Sequence, residues 1–318
     1  MKLFNKFFRS LYLKTINICV KLKTATAELK SLKNIFIVLA ILFSVLSFYL
    51  GYNLISLKNN FPSKETLVHF INIGQGDAIL IENNKFSILI DSGSNKYSDH
   101  LISYLKSLNI TKLNYVIASH PHEDHIGSMD DIVKNFHVET FISPKVITSD
   151  IDFINLVNAL NSKNIKINTV NDNSIISLSP GNYLTFLWSG ITPDDNINNN
   201  SLVLKYTNKN ISFLFTGDME KEVEDKLHFS NSSDLSSSVL KVPHHGSNSS
   251  STLNFLNSVS PYISVISCGM GNDYGHPHKN TLSNLNNVNS TVYRTDIHGN
   301  IIIKTDGNKL WINTECKN

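Results

Sequence analysis

His120-Pro121-His122-Glu123-Asp124-His125 brings three imidazoles and the Asp124 carboxylate into six residues. Imidazole nitrogen and carboxylate oxygen are the donors that suit divalent zinc or manganese. The residues before it, Leu113-Asn-Tyr-Val-Ile-Ala-Ser119, read as a buried strand, and those from Ile126 to Asn135 as an amphipathic helix. The cluster is therefore expected on a strand-to-helix turn, where a short loop held by rigid elements can aim several side chains at one point. A solvated loop would show histidine enrichment alone; H-x-H-x-D-H is a spacing.

Three further stretches have the same form. Phe215-Thr-Gly-Asp218 puts a carboxylate just past a strand, with Gly217 leaving room for close backbone approach. Lys241-Val-Pro-His244-His245-Gly246-Ser247 and Asn272-Asp-Tyr-Gly-His276-Pro-His278 end apolar runs with paired imidazoles. Seven of the twelve histidines fall in these clusters, each after a strand-like run, so their strand ends can converge on one sheet edge.

The chain of 318 residues is 41% hydrophobic, enough for one large domain or two modest ones. Its charge is uneven. Residues 1–34 hold eight of the 28 basic residues and one acidic residue, Glu28, which leaves 20 basic against 25 acidic in the rest. That remainder would not hold a polyphosphate backbone by charge alone. No charged residue occurs from Ile35 to Leu57. Such a run is long enough to cross a hydrocarbon layer of roughly 30 Å as a helix. The basic excess before it predicts a cytoplasmic N-terminus and an extracellular residue 58–318 portion, in a single-pass cell-membrane protein. A cleaved signal peptide competes, but the leader is long and no small-x-small site follows. Residues 1–33 read either as a basic amphipathic helix, with Phe4, Phe7, Phe8, Leu11 and Tyr12 in the interface, or as a solvated tail. In this topology Cys19 cannot pair with Cys268 or Cys316; a Cys268–Cys316 disulfide is one extracellular alternative, and a small core residue is the other reading of Cys268.

Beyond a 58–65 linker, short apolar runs alternate with helical patterns. Strands are expected at Leu67–Ile73, Ala78–Glu82 and Phe86–Asp91, and a helix at Tyr97–Leu108. Asn168–Gly181, poor in apolar residues, reads as a connection. Strands at Tyr183–Trp188, Leu202–Tyr206 and Ile211–Phe215 and a helix at Met219–Leu227 begin a second half of similar rhythm. Two packed sheets with helices outside, an α/β sandwich, follow from this alternation.

The H-x-H-x-D-H, T-G-D and strand-terminal histidine motifs resemble the metal-binding signature of the metallo-β-lactamase superfamily. More specifically, Ile73-Gly-Gln-Gly-Asp77-Ala, Leu89-Ile-Asp91-Ser-Gly93, Ser119–Ser128, Asn200–Leu204, Phe215–Asp218, Leu240–Ser247 and Tyr274-Gly-His-Pro277 resemble the hydrolase domain of ComEC-type competence proteins. The resemblance spans about residues 66 to 313 and implies a four-layer αββα sandwich over 66–318; charge and hydropathy place a 1–34 cytoplasmic segment and a 35–57 transmembrane anchor before it. With one span expected, the multi-helix channel of competence proteins has no counterpart, and a DNA transporter is not implied.

Carried over position by position, the resemblance implies two divalent metals, zinc by default or manganese. His120 and His122 would hold the first, Asp124 and His125 the second, and Asp218 would bridge them. One of His244 and His245 is expected to complete the set, because neighbours at a strand end point opposite ways; related enzymes read Pro-x-His-Gly here, so the resemblance implies His245, and His244 would then face substrate. Many superfamily members supply another histidine where Asn200-Ser201 stands here, so water or Asn200 is expected at the first metal. Asp124, His244 and His276 are the expected catalytic groups; Asp124 would orient the nucleophile and the two histidines would move protons. For His276 a structural role in a Gly/Pro turn is an equal alternative. Asp91 and Asp77 are expected to brace the ligands. The implied activity is hydrolysis of phosphodiester bonds, in extracellular nucleic acid or envelope groups. A lactamase, lactonase or thioesterase, or a non-catalytic binding protein, is the alternative. Sequence leaves the oligomeric state open.

Overall fold

A computed structural model describes residues 65–191, 196–229 and 235–316. The transmembrane anchor and cytoplasmic segment expected at 1–57 lie outside the described residues; among those described, no helix is long and apolar enough to cross a membrane.

The first sheet uses β1 (Thr66–Phe70), β2 (Ile79–Glu82), β3 (Ser87–Ile90), β4 (Lys112–Ile117), β5 (His137–Ile142) and β6 (Ile167–Asn168). The second uses β7 (Ser174–Ser179), β8 (Asn182–Trp188), β9 (Val203–Asn208), β10 (Ile211–Phe215), β11 (Val239–Lys241), β12 (Ile263–Ile266) and β13 (Thr291–Arg294). The chain then returns to the first sheet with β14 (Ile301–Thr305) and β15 (Leu310–Thr314). Among the described residues the orders are β15-β14-β1-β2-β3-β4-β5-β6 and β13-β12-β11-β10-β9-β8-β7. Antiparallel pairing gives way to parallel at β3–β4 and again at β10–β11.

Strand alternation sorts side chains into three cores. Ile79, Ile81, Ile88 and Ile90 from one sheet meet Phe186, Leu204, Phe213 and Phe215 from the other. Their neighbours Leu80, Leu89 and Val116 point outward, against Leu101 and Leu105 of α1 (Ser98–Ser107) and Leu156 of a later helix, Ile151–Ser162. Leu214 and Leu240 point the other way, against Val223 of helix Lys221–Phe229 and Phe255 of helix Leu253–Val259. The result is the α/β architecture with two sheets and helices on both outer faces. Both faces of the central strands are buried, which is why they read as continuous apolar runs.

Two elements differ from the sequence reading. Asn168–Gly181 contains β7, paired with β8 at the edge of the second sheet. Serines interleave its apolar residues, and Ile175 is exposed while Ile176 and Leu178 pack on the core, so the local composition hides the strand. The helix expected from Ile126 is instead two pieces, Glu123–Ile126 and Met129–Asn135.

Two buried charges tie loops to this frame. The Lys241 ammonium, at the end of β11, lies 2.8 Å from the Asp77 carboxylate before β2, and both side chains are buried. The pair joins the second sheet to the first. Breaking such a pair by removing one partner costs about 3–5 kcal/mol, since the other charge stays buried. Lys241→Met is therefore expected to lower unfolding free energy by about that amount in denaturant titration, and the Lys241→Met/Asp77→Asn double variant to recover part of it.

The second charge is Glu224, fully buried, which accepts from the backbone N–H groups of Ser251 and Thr252 and so pins the segment after the His244-His245 turn. Burial pushes its carboxyl up to about 7 against the pull of those donors. The folded state then holds this proton over a window, from about 4.5 to about 7, in which the unfolded chain releases it. Its contribution to stability is full below that window and falls as pH rises through it, by at most about 3 kcal/mol. Wild-type stability should decline from pH 5 to 8 relative to Glu224→Gln; parallel pH curves would contradict this assignment.

Candidate metal centre

Three loops at one edge of the sandwich meet at Asp91. The residue takes a left-handed backbone (φ 57) directly after β3. Its carboxylate accepts from Ser119 N and Ser119 Oγ, each at 2.7 Å, and lies 2.8 Å from His125 Nδ1. Ser92 N donates to His125 O and Asp77 N to Asp124 O. Gly76 makes the last contact possible: its φ is +133, and a Cβ there would collide with Asp124 O. Asp91 thus braces the histidine loop as expected; Asp77 holds it through its backbone, with one carboxylate oxygen 2.8 Å from Lys241 Nζ and the other 3.8 Å from His245 Nδ1.

Asp218 arrives from the second sheet. Its N–H donates to Ser201 Oγ at 3.0 Å, and Thr216 Oγ1 donates to Lys241 O. Gly217, at φ +50, packs on Ser201 and Ser119, leaving no space for a Cβ. The His244-His245 pair is placed by a left-handed turn: φ is 47 and 52 in the two residues, followed by Gly246 at 84. This, not strand alternation, separates the two rings. His245 is buried, with Nδ1 2.9 Å from Ser267 O and Nε2 turned into the cluster.

The Nε2 atom of His125 stands 3.2 Å from Asp218 Oδ1. The Nε2 atom of His245 stands 3.4 Å from Asp218 Oδ2 and 3.3 Å from Asp124 Oδ2. His125 Nε2, His245 Nε2 and Asp218 Oδ1 are buried yet have no hydrogen-bond partner. Two donors bound to one ion at about 2.0–2.1 Å in tetrahedral geometry lie about 3.3 Å apart. The spacing of Asp124, His125, Asp218 and His245 therefore fits a divalent cation, and this His/Asp group could hold one. His120 Nε2 and His122 Nδ1 sit 3.0 Å apart beside it, with the His120 ring 4.2 Å from that of His125.

Electrostatics agree with that fit. Burial and the neighbouring His125 hold His120 well below the ordinary histidine range, in the neutral form that ligates. Burial opposes charge on His125 and His245, but the carboxylates win. Asp218, Asp124 and Asp91 raise His125, and Asp218, Asp124 and Asp77 push His245 up to about 10. The imidazoles in turn hold Asp218 well below the usual carboxylate range against its burial. Acidic oxygens at this edge demand positive charge, which divalent cations supply more compactly than protonated rings.

The other expected residues lie around this group. His244 stands at the rim, its Nδ1 shared by Ser249 Oγ (3.1 Å) and Glu220 (3.2 Å), its Nε2 3.8 Å from Asp218 Oδ2. The His276 ring is 5.7 Å from that of His244 and 6.3 Å from that of His245, with Nδ1 3.4 Å from Gln75 Nε2. Asn200 donates its side-chain amide to Asn196 O, and Ser201 Oγ sits against His120 Nδ1, 3.3 Å away. Burial, then His245 and His244, push His276 down to about 4. Sequence reasoning missed Ser119, Ser201 and Lys241. Lys241 alone left a trace, as the single charge inside Val239-Leu-Lys-Val242.

Residues 71–269 match the family model of the metallo-beta-lactamase superfamily. Among curated proteins the chain is similar to ComE operon protein 3 of Bacillus subtilis, 31% identical over 260 residues, covering 75% of this chain and 33% of that protein. It is also similar to competence protein ComA of Neisseria gonorrhoeae, at 25% identity over 239 residues, 75% of this chain and 32% of that one. The chain thus spans about a third of the length of these relatives. Among solved structures, the metallo-beta-lactamase fold protein YhfI of Bacillus subtilis matches with TM-score 0.50 at 15% identity, over 78% of this chain and 100% of that one. CmlA, a diiron beta-hydroxylase of Streptomyces venezuelae, matches with TM-score 0.53 at 10% identity, over 76% and 54%. Both show likeness of fold alone. With the fold, the converging His/Asp group and the family match in agreement, this chain belongs to the metallo-beta-lactamase superfamily.

Proposed function

We propose that the chain is a membrane-anchored, outward-facing hydrolase with a binuclear metal centre, acting on phosphodiester bonds of nucleic acid or of cell-envelope groups. The observation that carries it is the set of unpartnered buried ligand atoms on His125, His245 and Asp218 at the separations a shared cation requires. The similarity to competence proteins supports a nucleic-acid substrate, and the apolar 35–57 run supports the anchor.

In this reading Asp124, His125, Asp218 and His245 would hold one cation, and His120 and His122, with Asp218, would hold the other. Divalent cations there would supply Lewis acidity toward a phosphoryl oxygen and a lower pKa for attacking water. The protein's own groups do the positioning. Asp124 is partly open to the cleft, with 30% of its side chain exposed, and can orient that water as well as ligate. Glu220 fixes His244 through Nδ1, which leaves Nε2 facing the reacting edge as proton donor to the leaving group. His276, neutral at pH 7, serves as a hydrogen-bonding partner for a substrate oxygen.

With zinc or manganese added, the full chain should hydrolyse bis-p-nitrophenyl phosphate and single-stranded DNA, and a chelator should stop both. Nitrocefin and a lactone should turn over negligibly; turnover of those two alone would overturn the phosphodiesterase reading. Asp218→Ala should lower kcat/KM by at least about 100-fold, since even partners one step removed from a metal are worth 10–100-fold. An unchanged rate would show that Asp218 is not the bridge.

A further inference from the structure

The metal edge opens into a cleft of about 1080 Å³. That is at the upper end of the roughly 300–1,000 Å³ of ordinary ligand pockets, room enough for a nucleotide of a strand. His122 and Asp124 line it, and the same lining carries Glu123, Asp150, Asp152 and Asp296 against Lys96. This acidic wall repels phosphates. A polyanion cannot be held there by charge along its backbone. It must be held by something neutral.

Tyr274 is such a group. It lines the same cleft with 67% of its surface exposed, so its ring is open to a ligand there. One ring face is stacked on His276, centroids 5.5 Å apart and planes at 19°, and His276 is itself 6.3 Å from the His245 ring. The turn beneath is stiff. Asn272 donates its side-chain amide to Gly269 O and His276 O, and its carbonyl accepts from His276 N. The tyrosine is therefore a fixed flat surface one ring from the metal group, with an apolar face left open.

Building on the phosphodiesterase reading, we infer that Tyr274 is a stacking platform for a nucleobase, making the site selective for single-stranded nucleic acid gripped by its bases and not by its backbone. Stacking tolerates any base, because every base has a π-face. A duplex keeps those faces covered while bringing two strands of phosphates to an acidic wall. The only phosphate the cleft then welcomes is the one delivered to the metal edge.

The test is fluorescence anisotropy with the metal-loaded full chain and phosphorothioate-linked decamers, which keep their charge and resist cleavage. One decamer carries thymine bases, one is abasic, and a third is annealed into a duplex. The thymine decamer should bind about tenfold or more tighter than the abasic chain or the duplex. Tyr274→Ala should erase that difference, and Tyr274→Phe should retain it. In turnover of unmodified oligothymidylate, Tyr274→Ala should raise KM with kcat little changed. Binding should weaken by less than about tenfold between 50 and 200 mM salt, where six phosphate contacts on a single strand would cost about 300-fold. Equal binding of thymine and abasic decamers, no measurable binding, a difference that survives Tyr274→Ala, or a steep salt dependence would each overturn the platform. Tyr274-dependent binding of a phosphodiester-bearing envelope polymer in place of the oligonucleotide would do so too. The two readings fail separately. Base-dependent binding without any turnover removes the hydrolase and keeps the platform; turnover of bis-p-nitrophenyl phosphate with equal decamer binding removes only the platform.

Discussion

The Asp91 carboxylate organises this edge of the molecule. Buried at the end of β3, it accepts from the backbone and hydroxyl of Ser119 and holds Nδ1 of His125, so one group sets both ends of the histidine loop. With Nδ1 engaged, the His125 ring can turn only Nε2 toward Asp218. Such an outer partner fixes both tautomer and ring orientation. Burial raises the Asp91 carboxyl, and His125 pulls it back, so each needs the other to stay in place. His245 is aimed in the same way from the opposite sheet, with the Ser267 carbonyl in the role of Asp91.

Convergence from two sheets has a cost in backbone conformation. Asp91, His244 and His245 all adopt left-handed φ values that residues bearing a Cβ seldom take. They persist because the surrounding contacts over-determine them, and such positions gather at functional sites. The Lys241–Asp77 pair holds the two sheets' ends together beside these turns, and Gly76 and Gly217 let backbone pass where no side chain would fit. Contacts of the fold itself thus hold this edge in place, as a preorganised metal site needs. Ring contacts extend outward through His276 to Tyr274.

Much of this could be read from residue order, for a physical reason. Strands buried on both faces are written as unbroken apolar runs, and the runs before His120, Asp218 and His244 were legible as such. Their polar ends then pointed to one sheet edge. Other features depended on tertiary context. Strand β7 borrows its partner from β8 and its burial from the inter-sheet core, so its own serines conceal it. Selection of His245 over His244 for the cluster rests on a two-residue left-handed turn that strand logic does not anticipate. Ser119 and Ser201 look like ordinary polar residues until the fold sets them against His120.

The central claim is that residues from both sheets grip two cations at one edge. Counting them directly tests it: plasma mass spectrometry of the full chain, after loading with zinc or manganese and exhaustive dialysis. The account predicts two ions per chain in the wild type and at most one in Asp218→Ala, with the fold intact by circular dichroism. A metal-free wild type, or a folded Asp218→Ala variant that still retains both ions, would contradict it.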